Sequence, residues 1–295
     1  MKEFAAGIVS YNPEIDRLRN NIDAIKKQVN LVVIVDNASN NISKINELVS
    51  EYDNVVLLCN EENKGIATAL NQICIYISKK NYTWCLLLDQ DSVCSSNIIE
   101  EYYGYINDRK VGMFCPYIVD EYKISLDEYK NMKLPERTIC NYAITSGSFI
   151  SLEVWKKIGG FFEELFIDGV DADYSYNLRM HGYSIYRVNK CYIMHQQGNK
   201  TEKTHIYRIH KDETGKKTVK PAFRFNYSLM RWYYMARNNW ILIKKYKKLN
   251  GVVRPVFSYT IRFLSVILLE KNRIKVTKSI FKGFKDGVRY NVDSV

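Results

Sequence analysis

The first hundred residues alternate short, unbroken apolar runs with longer stretches in which apolar positions recur every three or four residues. Residues 4–10 form one such run; Asn12 and Pro13 then favour a helix start, and Ile15, Leu18, Ile22, Ile25 and Val29 follow at helical spacing. Leu31–Asp36 reads as a second strand and, beyond a polar turn and a short helix, Val55–Cys59 as a third. Ile66, Leu70, Ile73 and Ile77 mark the helix that returns to a fourth strand over 83–88. Strands alternating with helices in this way predict a doubly wound, mostly parallel sheet with helices on its faces.

Each run stops at polar residues: Ser10-Tyr11-Asn12, Asp36-Asn37-Ala38-Ser39, Asn60 leading to Asn63-Lys64-Gly65, and Asp89-Gln90-Asp91-Ser92. Parallel strands share a direction, so these four ends converge on one edge, where open α/β sheets bind ligands. Two carboxylates separated by one residue suit a hard divalent cation that takes its other ligands from phosphate oxygens and water. No Gly-x-Gly-x-x-Gly follows the first strand, and no Gly-x-x-x-x-Gly-Lys-Ser/Thr occurs anywhere, which removes the main support for dinucleotide and P-loop readings. Asp36 either caps the next helix or accepts a hydrogen bond from a base imide, and Tyr11 can lie against a base or ribose.

Beyond an aperiodic stretch at 120–137, expected to run over the surface, strand character returns around Thr145-Ser146-Gly147-Ser148. A helix over 153–158 then ends at Gly159-Gly160. A second acidic cluster follows in Phe166-Ile167-Asp168-Gly169-Val170-Asp171-Ala172-Asp173, before a helix expected over 173–181. Capping that helix needs one acid and three are present, so one of them is a candidate general base. His195 follows a further apolar run and is either a metal or diphosphate ligand or a structural hydrogen-bonding residue.

The net charge of +11 is divided unevenly. Residues 1–199 carry 20 Lys and Arg against 26 Asp and Glu, and residues 200–295 carry 23 against 6, giving an acidic body and a basic tail. Seven cysteines stand singly with no zinc spacing, as expected of reduced thiols. Pro13, Asp16 and Arg17 interrupt the first apolar run, so no secretory leader is expected and the location is read as cytoplasmic. In the tail, residues 221–249 mix Phe, Tyr and Trp with Arg and Lys, and the apolar stretch 256–269 is too short to span a bilayer. The tail is therefore expected either to meet an anionic membrane surface peripherally, on the inner face of the cell membrane, or to pack as helices on the body or in a homo-oligomer. A pure binding module, for membrane or nucleic acid, would leave the converging strand ends and the second acidic cluster unexplained, and no nucleic-acid partner is expected.

Taken together, these residues resemble the inverting nucleotide-sugar glycosyltransferases of the GT-A type, family 2, and most closely their rhamnosyltransferase-like branch. The likeness covers roughly residues 4–200 and a piece at 233–239. It rests on Val9-Ser10-Tyr11-Asn12-Pro13, Val35-Asp36-Asn37-Ala38-Ser39, Asn63-Lys64-Gly65-Ile66-Ala67 and Asp89-Gln90-Asp91-Ser92. The resemblance implies a GT-A fold, Rossmann-like, with a mixed, mostly parallel sheet flanked by helices. It implies a catalytic domain over 1–200, to which composition and charge add a flexible basic loop over 201–220 and a basic helical region over 221–295. Ser10, Tyr11, Asn12, Asp36, Asn63, Lys64, Gly65 and Asp89 would meet the nucleotide, and Asp89, Asp91 and His195 would hold Mg²⁺ or Mn²⁺. Asp171 falls at the catalytic base, with Val170 where the family has Glu; Asp168, Thr145, Ser146 and Gly147 fall on the acceptor side, and Asp168 competes for the base role. The donor would be a dTDP- or UDP-sugar, with rhamnose first, and the acceptor a saccharide or lipid-linked saccharide in cell-surface polysaccharide synthesis.

Overall fold

The computed structural model describes residues 4–120, 124–195, 202–211 and 217–292, with positions 195, 203, 205–211, 217, 218, 220 and 223 described by backbone only. The chain divides into two compact units, Met1–Gln196 and Gln197–Val295.

In the first unit the strands are Ala5–Ser10 (β1), Leu31–Asp36 (β2), Val55–Cys59 (β3), Trp84–Asp89 (β4), Val93–Cys94 (β5), Val111–Asp120 (β6), Arg137–Cys140 (β7), Ser148–Ser151 (β8) and Ser184–His195 (β9). The helices are Ile15–Ile25 (α1), Ile42–Val49 (α2), Ile66–Lys79 (α3), Ile98–Tyr103 (α4), Leu126–Lys130 (α5), Leu152–Lys157 (α6) and Val170–Met180 (α7). One mixed sheet runs in the order β3-β2-β1-β4-β8-β6-β9-β5, with β7 also pairing with β9. Strands β1 to β4 are mutually parallel, as their unbroken apolar runs predict for a sheet covered on both faces. Ala6, Ile8, Val32 and Ile34 pack with Leu18 and Ile22 of α1 and Leu48 of α2. On the opposite face α3 comes so close that a Cβ on Gly7 would lie 2.1 Å from Ile73 Cγ2.

Strand β8 is antiparallel to both β4 and β6. Its amino end therefore lies beside the carboxyl end of β4, with Ser148 paired to Leu87, and the segment entering it joins the edge where β1, β2 and β4 end. The described part of the stretch at 120–137 beyond Asp120 is mostly exposed, as its composition suggests, but it is not an aperiodic linker throughout. It carries α5, capped by a reciprocal Ser125–Glu128 box, and buries Tyr129 against Tyr117 and Val119. A five-residue helix is too short for periodicity to reveal.

The second unit contains an antiparallel pair, Glu202–Lys211 (β10) and Lys217–Arg224 (β11), where composition suggests a loop over 201–220. The many lysines obscure the strand-forming Thr204, Ile206, Tyr207 and Ile209. Helices Leu229–Lys245 (α8), Lys247–Asn250 (α9), Val253–Leu269 (α10) and Arg273–Arg289 (α11) follow. Trp232, Met235 and Ala236 of α8 pack against Val276 and Ile280 of α11 and Val266 of α10. Two glycines let α8 and α11 approach closely: a Cβ would sit 2.1 Å from Tyr233 O at Gly283 and 2.5 Å from Arg237 O at Gly287. Gly283→Ala is expected to force these helices apart and destabilise the unit by about 1–3 kcal/mol, measured by urea unfolding followed at the tryptophans. Tyr233 donates to Asp286 at 2.9 Å, Arg237 lies over the Tyr290 ring, and Asn238 is buried, so the 233–239 piece is engaged in this helix packing.

Candidate active site

The ends of β1, β2 and β4 are tied together by side chains. Asp36 is fully buried, and its carboxylate accepts from Ser10 Oγ at 3.1 Å, Ser39 N at 2.8 Å and Ser39 Oγ. It does not cap α2, whose N-cap position is Asn41. Asn12, at φ 48°, receives Asn40 N on its side chain and donates its own N–H to Ser39 Oγ. Tyr11 is exposed, and its backbone N–H donates to Gln90 Oε1 at 2.8 Å. The intervening residue of Asp89-Gln90-Asp91 thus fastens β4 to β1.

Gly65, at φ 85°, begins α3 with its N–H on Asn63 Oδ1 and its carbonyl accepting from Asn37. The next amide, Ile66 N, donates to Phe166 O at 2.8 Å, and a Cβ on Gly65 would come within 2.6 Å of that oxygen. Only glycine provides both the backbone conformation and the space here. This contact joins the loop leading into α3 to the second acidic cluster. Lys64 beside it is exposed.

Helix α7 begins at Val170, three residues before the start read from sequence, because Asp168 and Gly169 both adopt positive φ and turn the chain sharply into it. Asp171 therefore lies inside the first turn, where the helix dipole favours negative charge. Its Oδ1 accepts from Thr145 N at 3.0 Å and Thr145 Oγ1 at 2.8 Å, so two donors on one residue orient the carboxylate. Asp173 is buried and Asp168 half-buried. Ser146, also buried, donates to Ser92 Oγ at 2.8 Å, and its hydroxyl accepts from Asp89 N at 3.0 Å. Gly147 N donates to Leu87 O at 2.7 Å. Thr145, Ser146 and Gly147 thus hold the carboxylate-bearing backbone in place.

Burial pushes the Asp89 carboxyl up to about 7, and the negative charges of Asp171 and Asp91 add to the effect. The two acidic clusters, far apart in sequence, therefore share one electrostatic environment. A divalent cation suits this donor set: the ligating atoms are carboxylate oxygens, and positive charge would relieve the repulsion that raises Asp89. Among the described residues no three of His, Cys, Asp and Glu converge into a closed metal cage, so an ion would draw further ligands from water and phosphate. His195 ends β9, its backbone paired with Asp120, and its side chain lies outside the described residues.

One supporting residue, Asn21, carries no motif in the sequence, whereas Asn71 falls in Ala69-Leu70-Asn71, which belongs to the family resemblance. Asn21 donates to Asp89 O at 2.6 Å, and a polar residue among Leu18, Ile22 and Ile25 on the buried face of α1 was the available signal. Asn71, buried in α3, binds Phe161 through both N and O, Trp155 Nε1 and Glu163, and so fixes the approach to the second acidic cluster.

The order of strands, the antiparallel insertion and the carboxylates at the sheet edge define a GT-A glycosyltransferase. The chain belongs to glycosyl transferase family 2, whose pattern matches residues 6–168. It is 28% identical over 297 residues to the dTDP-rhamnosyl transferase RfbF of Shigella flexneri, across 96% of this chain and 95% of that one. Among solved structures it resembles S. aureus TarS 1–349 in complex with UDP-GlcNAc, with a TM-score of 0.60 and 15% identity over 97% of this chain and 81% of that one. It also resembles GalNAc-T7 with UDP, GalNAc and Mn²⁺, with a TM-score of 0.56 and 16% identity over 67% of this chain. The chain spans 44% of that longer protein. At these identities the two structures speak for the fold alone.

Proposed function

We propose that this glycosyltransferase moves L-rhamnose from dTDP-rhamnose to a hydroxyl of a saccharide or lipid-linked saccharide, with inversion, in the assembly of a cell-surface polysaccharide. The observation that carries the chemistry is Asp171, oriented by Thr145 and set in the same electrostatic environment as Asp89. The near full-length similarity to a dTDP-rhamnosyl transferase supports the sugar.

In the proposed reaction Asp171 accepts the proton of the acceptor hydroxyl as its oxygen bonds to the anomeric carbon. The bond from that carbon to the diphosphate oxygen breaks on the opposite face, and the electron pair leaves with the nucleoside diphosphate. Asp91 and Asp89 would hold a Mg²⁺ or Mn²⁺ ion, with His195 as a further ligand, and such an ion would supply positive charge to offset that of the leaving diphosphate. Tyr11 offers an exposed ring to the base or ribose, and Asp36 holds Ser10 and Ser39 around the base end. Asn12, Asn63, Lys64 and Gly65 line the nucleotide side, with Lys64 supplying positive charge. Asp168, with Thr145, Ser146 and Gly147, borders the acceptor side.

A panel of dTDP- and UDP-sugars, scored by thermal shift and by transfer, is expected to select dTDP-rhamnose. A product anomeric configuration opposite to the donor's, read by NMR, is expected alongside. Preference for a UDP-hexose would move the assignment to another sugar, and retained configuration would remove the single-displacement mechanism. Excess EDTA is expected to stop transfer, with Mn²⁺ or Mg²⁺ restoring it; full activity in chelator would sink the cation assignment.

A further inference from the structure

The second unit leaves a large apolar surface uncovered. On α10, Val253, Phe257, Ile261, Leu264 and Leu268 recur every three or four residues and so share one face, and all are exposed, Phe257 at 68% and Leu268 at 64%. On α11, Ile274, Phe281, Phe284 and Val288 are likewise exposed, while Val276, Ile280, Gly283 and Gly287 take the inward face. Phe281, Phe284 and Val288 line an open groove together with Lys282, Lys285 and Arg289. Lys275 and Lys278 continue this basic flank along the same helix, and both are exposed.

The charge on these helices is one-sided. Between Val253 and Arg289 the acids are Glu270 and Asp286 alone, and both are engaged internally. Glu270 is buried and accepts from Phe225 N at 3.0 Å and Asn226 N at 3.3 Å, while Asp286 accepts from Tyr233 Oη. Apolar side chains flanked by lysines, with the acids turned inward, make a surface whose two components need an apolar and an anionic partner at once.

We propose that α10 and α11 dock this unit onto an anionic lipid bilayer, the exposed aromatic and aliphatic side chains entering the headgroup boundary and the α11 lysines meeting lipid phosphates. Among the described residues no helix is long and apolar enough to cross a membrane, so the docking is interfacial. Nucleic acid would match the lysines but leave Phe281, Phe257 and Leu268 in water. A second copy would cover the apolar stripes but set lysine row against lysine row.

The test is co-sedimentation of the full chain with vesicles of phosphatidylcholine alone and of phosphatidylcholine with about one-third phosphatidylglycerol. Binding is expected to the anionic vesicles, to weaken as salt rises, and to be far lower on phosphatidylcholine. Each lysine near the surface contributes about fivefold, so Lys278→Ala/Lys282→Ala/Lys285→Ala should bind about 100-fold more weakly. Phe281→Ser/Phe284→Ser should lose the binding that persists at high salt. Thermal unfolding of both variants, matched to the parent, shows that the fold is intact. Equal binding to both vesicle types, no binding to either, or binding unchanged by both variants would overturn the proposal. So would retention on duplex DNA or concentration-dependent dimerisation in the absence of vesicle binding.

Discussion

Asp171→Asn is expected to lower the rate of sugar transfer by about 10²–10⁴-fold, the range lost when a positioned general base is removed. The change is nearly isosteric, and an Asn side-chain oxygen can still accept from Thr145 N and Oγ1, which hold the carboxylate at 3.0 and 2.8 Å. Nucleoside diphosphate affinity should stay within about threefold of the parent, because the loss falls on the chemical step. Isothermal titration with the nucleoside diphosphate, set beside steady-state transfer, separates the two. Parallel loss of both would mean that Asp171 holds the donor. Substantial residual transfer would shift the base to Asp168, three residues earlier in the turn that precedes α7, at φ 63°.

The second large effect is on stability and the site together. Gly65→Ala places a Cβ 2.6 Å from Phe166 O and 2.8 Å from the Phe166 ring while also forcing an alanine to φ 85°. The left-handed conformation costs about 1–2 kcal/mol and the clash about 1–3 more. At roughly 2–4 °C per kcal/mol for a unit of this size, the melting temperature should fall by about 4–20 °C. Gly159→Ala is the matched control: Gly159 is at φ 86° with nothing within 4 Å of its Cβ position, so it carries the conformational cost alone. If the two variants melt together, Phe166 yields readily and the loop contact is weak. If Gly65→Ala melts lower and also loses donor affinity, the two loops act as one body.

These variants also show which features were legible in the sequence. The parallel half of the sheet was, because Leu31–Asp36 and Trp84–Asp89 are apolar runs long enough to admit one interpretation and their polar ends fall on one edge. Strand β8 was harder: four residues, Ser148–Ser151, carry no sign of direction, and direction is what brings Ser146 to Asp89. The electrostatic coupling of Asp89 to Asp171 spans 82 positions and could not come from spacing. Asp36 looked like a cap or a ligand contact, and its burial beneath Ser10 and Ser39 depends on strand neighbours that local pattern does not reveal. The hairpin of β10 and β11 was hidden by lysines that suggest solvent more strongly than Ile and Tyr suggest a strand.

The antiparallel setting of β8 has a consequence for how such an enzyme changes over time. The carboxylate edge is assembled from two separate stretches of chain, one ending near Ser92 and one running from Thr145 into α7, joined through Asp89 N to Ser146 Oγ, Ser146 Oγ to Ser92 Oγ, Gly147 N to Leu87 O, Ile66 N to Phe166 O and the Asn71 side chain. Two of these joints use backbone on both sides, and the others ask for hydroxyls at positions 92 and 146 and an amide at position 71. A segment transplanted from a relative that keeps Ser146 can therefore bring a new set of outward-facing side chains while reproducing these joints. Recombination between such enzymes, natural or directed, has a ready-made seam here, and crossing over at it exchanges one half of the site while leaving the other intact.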